Sequence, residues 1–224
     1  ISSYIRDHKT ALSIVDCVTS LGACNVPVDK WQLDIVASGS QKGYMIPPGL
    51  SFISVSQKAW EAAEKSNLPK FYLNLKSYRK SLSSNSNPYT PAVNLVFALD
   101  ESLKMMREEG LDNIFLRHDK HKLAMSKAVK ALNLKLFADE RYLSPAVTAI
   151  QTGEIDAEEF RKTIKNKFDI LLAGGQDHLK GKIFRVGHLG YVNNRDIITV
   201  ISAISKTHLD LSLIHISEPT RPED

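Results

Sequence analysis

The sequence predicts an α/β fold: a domain built on a largely parallel or mixed sheet, followed by a smaller α+β domain. Two patterns predict it. In the first half, short runs rich in β-branched residues, ALSIVD (11–16), LDIVAS (33–38) and LSFISVS (50–56), alternate with loops and with the amphipathic stretch QKAWEAAEKS (57–66). Strands spaced in this way and joined across the faces of a sheet are the signature of an α/β layer. From Pro91 the chain turns helical for about forty residues, as apolar positions recur at helical spacing. AVNLVFALDESLKMM is interrupted at Gly110 and resumes as LDNIFLRHDKHKLAMSKAVKAL, a connector into a second domain.

The remainder reads as strand LKLFA, strand AVTAIQ, helix IDAEEFRKTIKNKF, strand DILLAG, strand KIFRVGH and helix RDIITVISAISKTHL. That order makes a small α+β domain over residues 110–209, after a first domain over 1–109. SLSSNSN (81–87) is the one low-complexity stretch and is expected to be a loop. The chain opens on ISSYIRDHK, with apolar residues at helical spacing but neither an initiator Met nor a cap, so a native N-terminal portion is expected to precede it. At the other end the amphipathic pattern from Asp196 to Leu209 runs into LSLIHISEPTRPED, which has no period and resembles translated sequencing-adapter read-through. Residues 210–224 are therefore expected to be a non-native or disordered tail.

Composition narrows the function classes. With 43% hydrophobic and 24% charged residues, the 224-residue chain has the make-up of a soluble globular protein, not of a disordered one. The formal charge of +4 comes from 29 basic and 25 acidic residues spread along the chain, whereas nucleic-acid binders gather their basic residues in a stripe. No run approaches the roughly 18 apolar residues of a membrane span. Cys17 and Cys24 sit among apolar or small residues, which argues against a disulfide framework and for a reducing compartment, cytoplasmic or organellar. His118, His121, His178, His188 and the cysteines lack metal-site spacing, and His118 and His121 are expected on a charged helix face, so no metal is expected. Met45, Met105, Met106 and Met125 read as core filler, and the charges of KMMREEG and RHDKHK as solvated helix faces.

The segment with the most chemistry is SGSQKGYMIPPG (38–49), between the strands LDIVA and LSFISV. Lys42 lies there among small polar residues and glycine. A loop lysine between two buried strands either points into solvent or reaches a cleft, where desolvation lowers its amine pKa toward what imine formation needs. Upstream, Asp16 stands at the carboxyl end of the strand ALSIVD. In open α/β sheets the ligand crevice lies beyond such ends, although an aspartate there also caps turns.

Together these features identify a resemblance. IVDCVTSLGACNVPVDKWQLDIVASGSQKGYMIPPGLSFISVSQKAW resembles the class V aminotransferases, fold type I pyridoxal-phosphate enzymes, and within them the alanine–glyoxylate and serine–glyoxylate group. The resemblance extends to about residue 209 and implies the C-terminal part of the fold type I large domain followed by the small domain. It implies transamination between a small amino acid, alanine or serine, and glyoxylate, with pyridoxal 5′-phosphate as cofactor. It makes Lys42 the lysine that binds the cofactor covalently and Asp16 the partner of its pyridine nitrogen, with Val18 against one ring face and Gln41 on the phosphate. A carboxylate beside the pyridine nitrogen keeps it protonated, and the freed lysine moves a proton between substrate and cofactor carbons. In SNSNPYTPAVN, Thr90, with Tyr89 beside it, corresponds to a contact with the phosphate of the neighbouring subunit, which implies a homodimer. The residue-level alternative for Thr90 is an N-cap of the helix after Pro91. In GGQDHLKGKIFRVGHLG, Arg185 corresponds to the arginine that takes the substrate carboxylate. An arginine in an apolar strand is costly to bury without an anion, and the alternative is a structural ion pair with Asp169 or Asp177.

The family's glycine-rich phosphate loop and stacking aromatic belong upstream of the residues present. The chain alone is therefore expected to hold part of the active site and not to turn over substrate. Two other functions fit less of the pattern. Cysteine desulfurases and related lyases of this fold carry His where Gln41 stands and a catalytic cysteine in a mobile loop. A non-catalytic fragment would retain only dimer and cofactor-anchoring surfaces.

Overall fold

The computed structural model describes residues 4, 5 and 11–217, so the expectation for ISSYIRDHK falls largely outside the described residues, as does the tail from 218 to 224. The chain divides into two compact units, Ile1–Leu21 with Asn25–Glu109, and Gly22–Cys24 with Gly110–Asp224. Among the described residues no helix is long and apolar enough to cross a membrane.

In the first unit, strands β1 (Ile14–Asp16), β2 (Ile35–Gly39) and β3 (Ser51–Val55) pair in that order, β1 with β2 parallel and β2 with β3 antiparallel. The helices are α1 (Val28–Trp31), a single turn, α2 (Gln57–Lys65), α3 (Leu75–Ser83) and α4 (Val93–Glu109). α2 starts where it does because the Ser56 hydroxyl accepts from the Ala59 N–H at 3.1 Å. α3 carries no fully buried residue, and it takes Ser81–Ser83 out of the expected loop. Its start is fixed by Asn74, whose side chain accepts from the Lys76 N–H at 3.1 Å.

A buried carboxylate ties the three strands together at the end remote from Asp16. Asp34 accepts from the Ser13 N–H at 2.9 Å, the Ser13 hydroxyl at 3.2 Å and the Ser56 hydroxyl at 2.9 Å. The Asp34 N–H donates back to the Ser13 hydroxyl at 2.8 Å, and the Lys58 ammonium lies 3.9 Å away. Burial alone would raise the Asp34 pKa, but the Ser13 backbone bond, the Ser56 and Ser13 hydroxyls and the Lys58 charge outweigh it and leave the carboxyl below its usual range.

The second unit contains α5 (Leu111–Ala131), β4 (Lys135–Leu136), β5 (Val147–Gln151), α6 (Ala157–Phe168), β6 (Ala173–Gly174), β7 (Ile183–Gly187) and α7 (Asn194–Ser217). Its four strands form an antiparallel sheet in the order β4-β5-β7-β6. Phe160 and Phe184 stack with ring centroids 5.0 Å apart in a core that also holds Met125, Ile150, Ile164 and Ile204. Three expectations are corrected here. The strand DILLAG shrinks to Ala173–Gly174, because Ile170 and Leu172 turn to the core instead of pairing. The last helix does not stop near Leu209 but runs to Ser217, and Leu211 is buried in the core, which gives the extra turns an apolar anchor.

The third correction concerns the histidines of α5. His118 and His121 are buried, not on a solvated face, because they occupy the same helical stripe as Ile114, Met125 and Val129. His118 donates through Nδ1 to the Ile114 carbonyl at 2.7 Å and accepts from the Gly190 N–H at 3.2 Å. His121 meets the Asn194 side chain at 3.2 Å. Arg117, in the same run, donates to the Gly190 and Val192 carbonyls, each at 2.9 Å. His188, also buried, bonds the Thr148 hydroxyl at 2.9 Å.

Candidate active site

The parallel pairing of β1 with β2 sets Asp16 beside Ala37, and the Cys17 N–H extends the ladder by donating to the Ala37 carbonyl at 2.8 Å. The carboxyl ends of the two strands therefore lie side by side, where an open α/β sheet places its ligand. Asp16 Oδ1 accepts from the Val18 N–H at 2.8 Å and so caps the turn that follows β1. The side chain is exposed, and Oδ2 has no protein partner among the described residues. Capping and a ligand role are thus compatible in one carboxylate.

At the end of β2, a Cβ on Gly39 would lie 3.0 Å from Gln41 Oε1 and 3.7 Å from Val18 Cγ1. The missing side chain leaves room in which Val18, from the β1 turn, and Gln41, from the β2 loop, approach the same spot. Lys42 follows, half-buried, with its amine in no hydrogen bond or ion pair among the described residues. Four of the sequence-predicted residues, Asp16, Val18, Gln41 and Lys42, accordingly share one end of one pair of strands.

The loop that carries Lys42 is closed on itself. The Ser40 N–H donates to the Leu50 carbonyl at 3.1 Å and the Leu50 N–H donates to the Ser40 hydroxyl at 3.2 Å. That hydroxyl, fully buried, donates to the Pro47 carbonyl at 2.8 Å. Inside the loop the Met45 N–H donates to the Lys42 carbonyl at 3.0 Å, with Met45 at φ 63°. From α4, the buried Ser102 hydroxyl donates to the Tyr44 carbonyl at 2.5 Å. Neither serine was singled out in the sequence. Ser40 stood within the motif as one small polar residue among several, and Ser102 had no signal beyond a place in a helical pattern.

The other two sets of predicted residues are carried by other elements. Tyr89 is engaged with aromatic neighbours, its hydroxyl donating to the Phe71 carbonyl at 3.1 Å and its ring 4.7 Å from that of Tyr72. Thr90 is exposed, and it does not cap α4: the helix begins only at Val93, because Pro91 and Ala92 form a turn closed by the Val93 N–H on the Pro91 carbonyl. Arg185 belongs to the second unit, on β7, where its Nε donates to the Gly174 carbonyl at 2.9 Å. The expected structural ion pair is absent among the described residues: Asp169 pairs with Lys165, and no carboxylate is within salt-bridge distance of Arg185. Arg185 lines a cleft of about 540 Å³ together with Thr199 and Asp196. No group of three or more His, Cys, Asp or Glu among the described residues is arranged to hold a metal ion.

Comparison with known proteins shows the family. Residues 1–180 match the family described as Aminotransferase class-V. The soluble hydrogenase 42 kDa subunit of Anabaena cylindrica is 57% identical over 211 residues, which are 94% of this chain and 55% of that protein. The serine–glyoxylate aminotransferase of Methylorubrum extorquens is 36% identical over 207 residues, 89% of this chain and 52% of the relative. The crystal structure of ureidoglycine–glyoxylate aminotransferase from Bacillus subtilis matches with a TM-score of 0.87 at 31% identity, over 93% of this chain and 55% of the other. The chain spans about half the length of the curated relatives it matches. With residues 1–180 covered by the family and the same fold in a solved relative, the chain belongs to the class V aminotransferases.

Proposed function

We propose that the full-length protein uses pyridoxal 5′-phosphate to transfer the amino group of a small amino acid, alanine or serine, to glyoxylate. The observation that carries this reading is the convergence of an uncommitted amine, a carboxylate with a free oxygen and a carboxamide at the carboxyl ends of β1 and β2. The donor set suits the cofactor, and the absence of a side chain on Gly39 lets Val18 and Gln41 come together at the same spot. When bound, the cofactor withdraws electrons from the substrate Cα and so weakens its C–H bond.

In this reading each residue has one task. The Lys42 amine would hold the cofactor aldehyde and would carry the proton away from the substrate Cα. Asp16 Oδ2 holds the proton on the pyridine nitrogen, while Oδ1 stays on the Val18 N–H and fixes the carboxylate orientation. Gln41 binds the phosphate, and Thr90 binds that of a partner subunit in a homodimer. Arg185 offers two parallel N–H donors to the substrate carboxylate, a geometry lysine lacks. Glyoxylate as acceptor is supported by the names of two relatives, one acting with serine and one with ureidoglycine.

The test is to incubate the full-length protein with pyridoxal phosphate, glyoxylate and a panel of amino donors and to follow glycine formation. Glycine released with alanine or serine is the expected result. No glycine with any donor would overturn the reading.

A further inference from the structure

We propose that Ser102 and Ser40 are positioning residues for Lys42, holding the backbone turn from which its amine projects. The inference rests on the reading of Lys42 given above and extends it to two residues without contact to substrate or cofactor.

The turn is not self-sufficient. Lys42 to Met45 is closed by one hydrogen bond, and Met45 adopts φ 63°, a left-handed conformation that non-glycine residues rarely occupy. Such a backbone persists where its surroundings over-determine it. Here the surroundings are two buried hydroxyls. Ser40 ties the loop base, bonding both the Pro47 carbonyl and the Leu50 N–H. Ser102 reaches the loop from α4 and pins the Tyr44 carbonyl, inside the turn itself.

The direction of the Ser102 bond is informative. A helical serine commonly donates to a carbonyl of its own helix, as Ser202 does to Ile198 at 2.9 Å. Ser102 instead gives its proton to a loop far away in sequence, and its burial shields that bond from competing water. Tyr44 is held on its other side as well, its ring 4.5 Å from that of Phe52 on β3. Tyr44, between Lys42 and Met45, is thus restrained by helix and sheet together. A lysine on a loosened turn would lose its defined place at the end of β2 and react as a surface lysine does.

The experiment measures the reactivity of Lys42 in the full-length protein. Pyridoxal phosphate is added, adducts are trapped with borohydride at successive times and pH values, and the labelled lysines are mapped by peptide analysis. Ser102→Ala is compared with Ser13→Ala, which disturbs the Asp34 network of the same unit without touching the loop, and the Tm of both is recorded. In Ser102→Ala the labelling rate at Lys42 is expected to fall about tenfold, the effect of losing one buried hydrogen bond, with a changed pH profile. Ser13→Ala is expected to lower Tm and leave that rate unaltered. If Ser102→Ala lowers Tm but keeps the Lys42 rate and pH profile of the unsubstituted protein, the positioning role is overturned while Lys42 stands. If the unsubstituted protein carries its label on another lysine, the reading of Lys42 falls, and the role of the serines with it.

Discussion

In the proposed reading Lys42 and Arg185 are the residues whose chemistry is least replaceable, and they should fail in different ways when changed. Lys42→Ala removes the one amine in the closed loop, so borohydride trapping should leave the 38–49 peptide unlabelled and the full-length protein without turnover. Retained turnover would count against the assignment. For Arg185 the structural alternative has lost its main support, since among the described residues no carboxylate pairs with it and the one hydrogen bond of its side chain runs from Nε to Gly174. The remaining guanidinium N–H groups are available for a substrate carboxylate. Arg185→Lys keeps the charge but not the planar pair of donors, so kcat/KM should fall by about ten- to several-hundredfold with little change in Tm. A variant with unchanged KM for both amino acid and oxo acid, but a lowered Tm, would make Arg185 a structural residue of β7.

At the scale of elements, the polar bonds at their ends decide where they start. Asp156 caps α6, accepting from the Glu158 and Glu159 N–H groups at 2.8 and 2.9 Å, and Asp156→Ala should cost about 1 kcal/mol in urea unfolding. Asp34 ties three strands instead of one helix end. Asp34→Ala strands the Ser13 N–H and two hydroxyls and should cost about 2–4 kcal/mol; a cost no larger than that of the Asp156 variant would mean the network contributes little. The same contrast explains what was legible in the sequence. β1, β2 and β3 announce themselves through β-branched runs bounded by turn residues, and SGSQKG between two of them marks the site loop. α3 does not, since LKSYRKSLS buries nothing and is nucleated by a cap. The buried face of α5 was hidden because two histidines occupy it, although the spacing of Ile114, His118, His121 and Met125 is that of one helical stripe. Strand periodicity carries no information about whether a run pairs or merely packs, which is why DILLAG was read too long. Ser40 and Ser102 were invisible because their role depends on which backbone carbonyl the fold brings to them.

Over the whole molecule, the buried titratable groups differ between the two units, and acid should therefore weaken the units in sequence. In the second unit, burial first, then the neighbouring His121 and His118, push His188 from 6.5 down to about 4. Its folded pKa is depressed, so the unfolded chain binds the proton first: the stabilising effect of neutral His188 is complete above about 6.5 and drains away as pH falls toward 4. The full effect amounts to roughly 3 kcal/mol at 1.36 kcal/mol per pKa unit. In the first unit, Asp34 is lowered from 3.8, so its contribution persists until pH drops below that value and fades through the still lower folded pKa. The protein carries two tryptophans, Trp31 and Trp60, both in the first unit, so their fluorescence reports that unit alone. Between pH 6.5 and 4, in urea just below the unfolding midpoint, amide hydrogen exchange in β7 should accelerate while tryptophan fluorescence stays native. His188→Gln keeps a partner for the Thr148 hydroxyl but cannot titrate, and it should flatten that acceleration while leaving the transition below pH 3.8 unmoved. If β7 exchange and tryptophan fluorescence change together at one pH, and His188→Gln shifts neither, then the acid response does not originate in the buried histidines of the second unit.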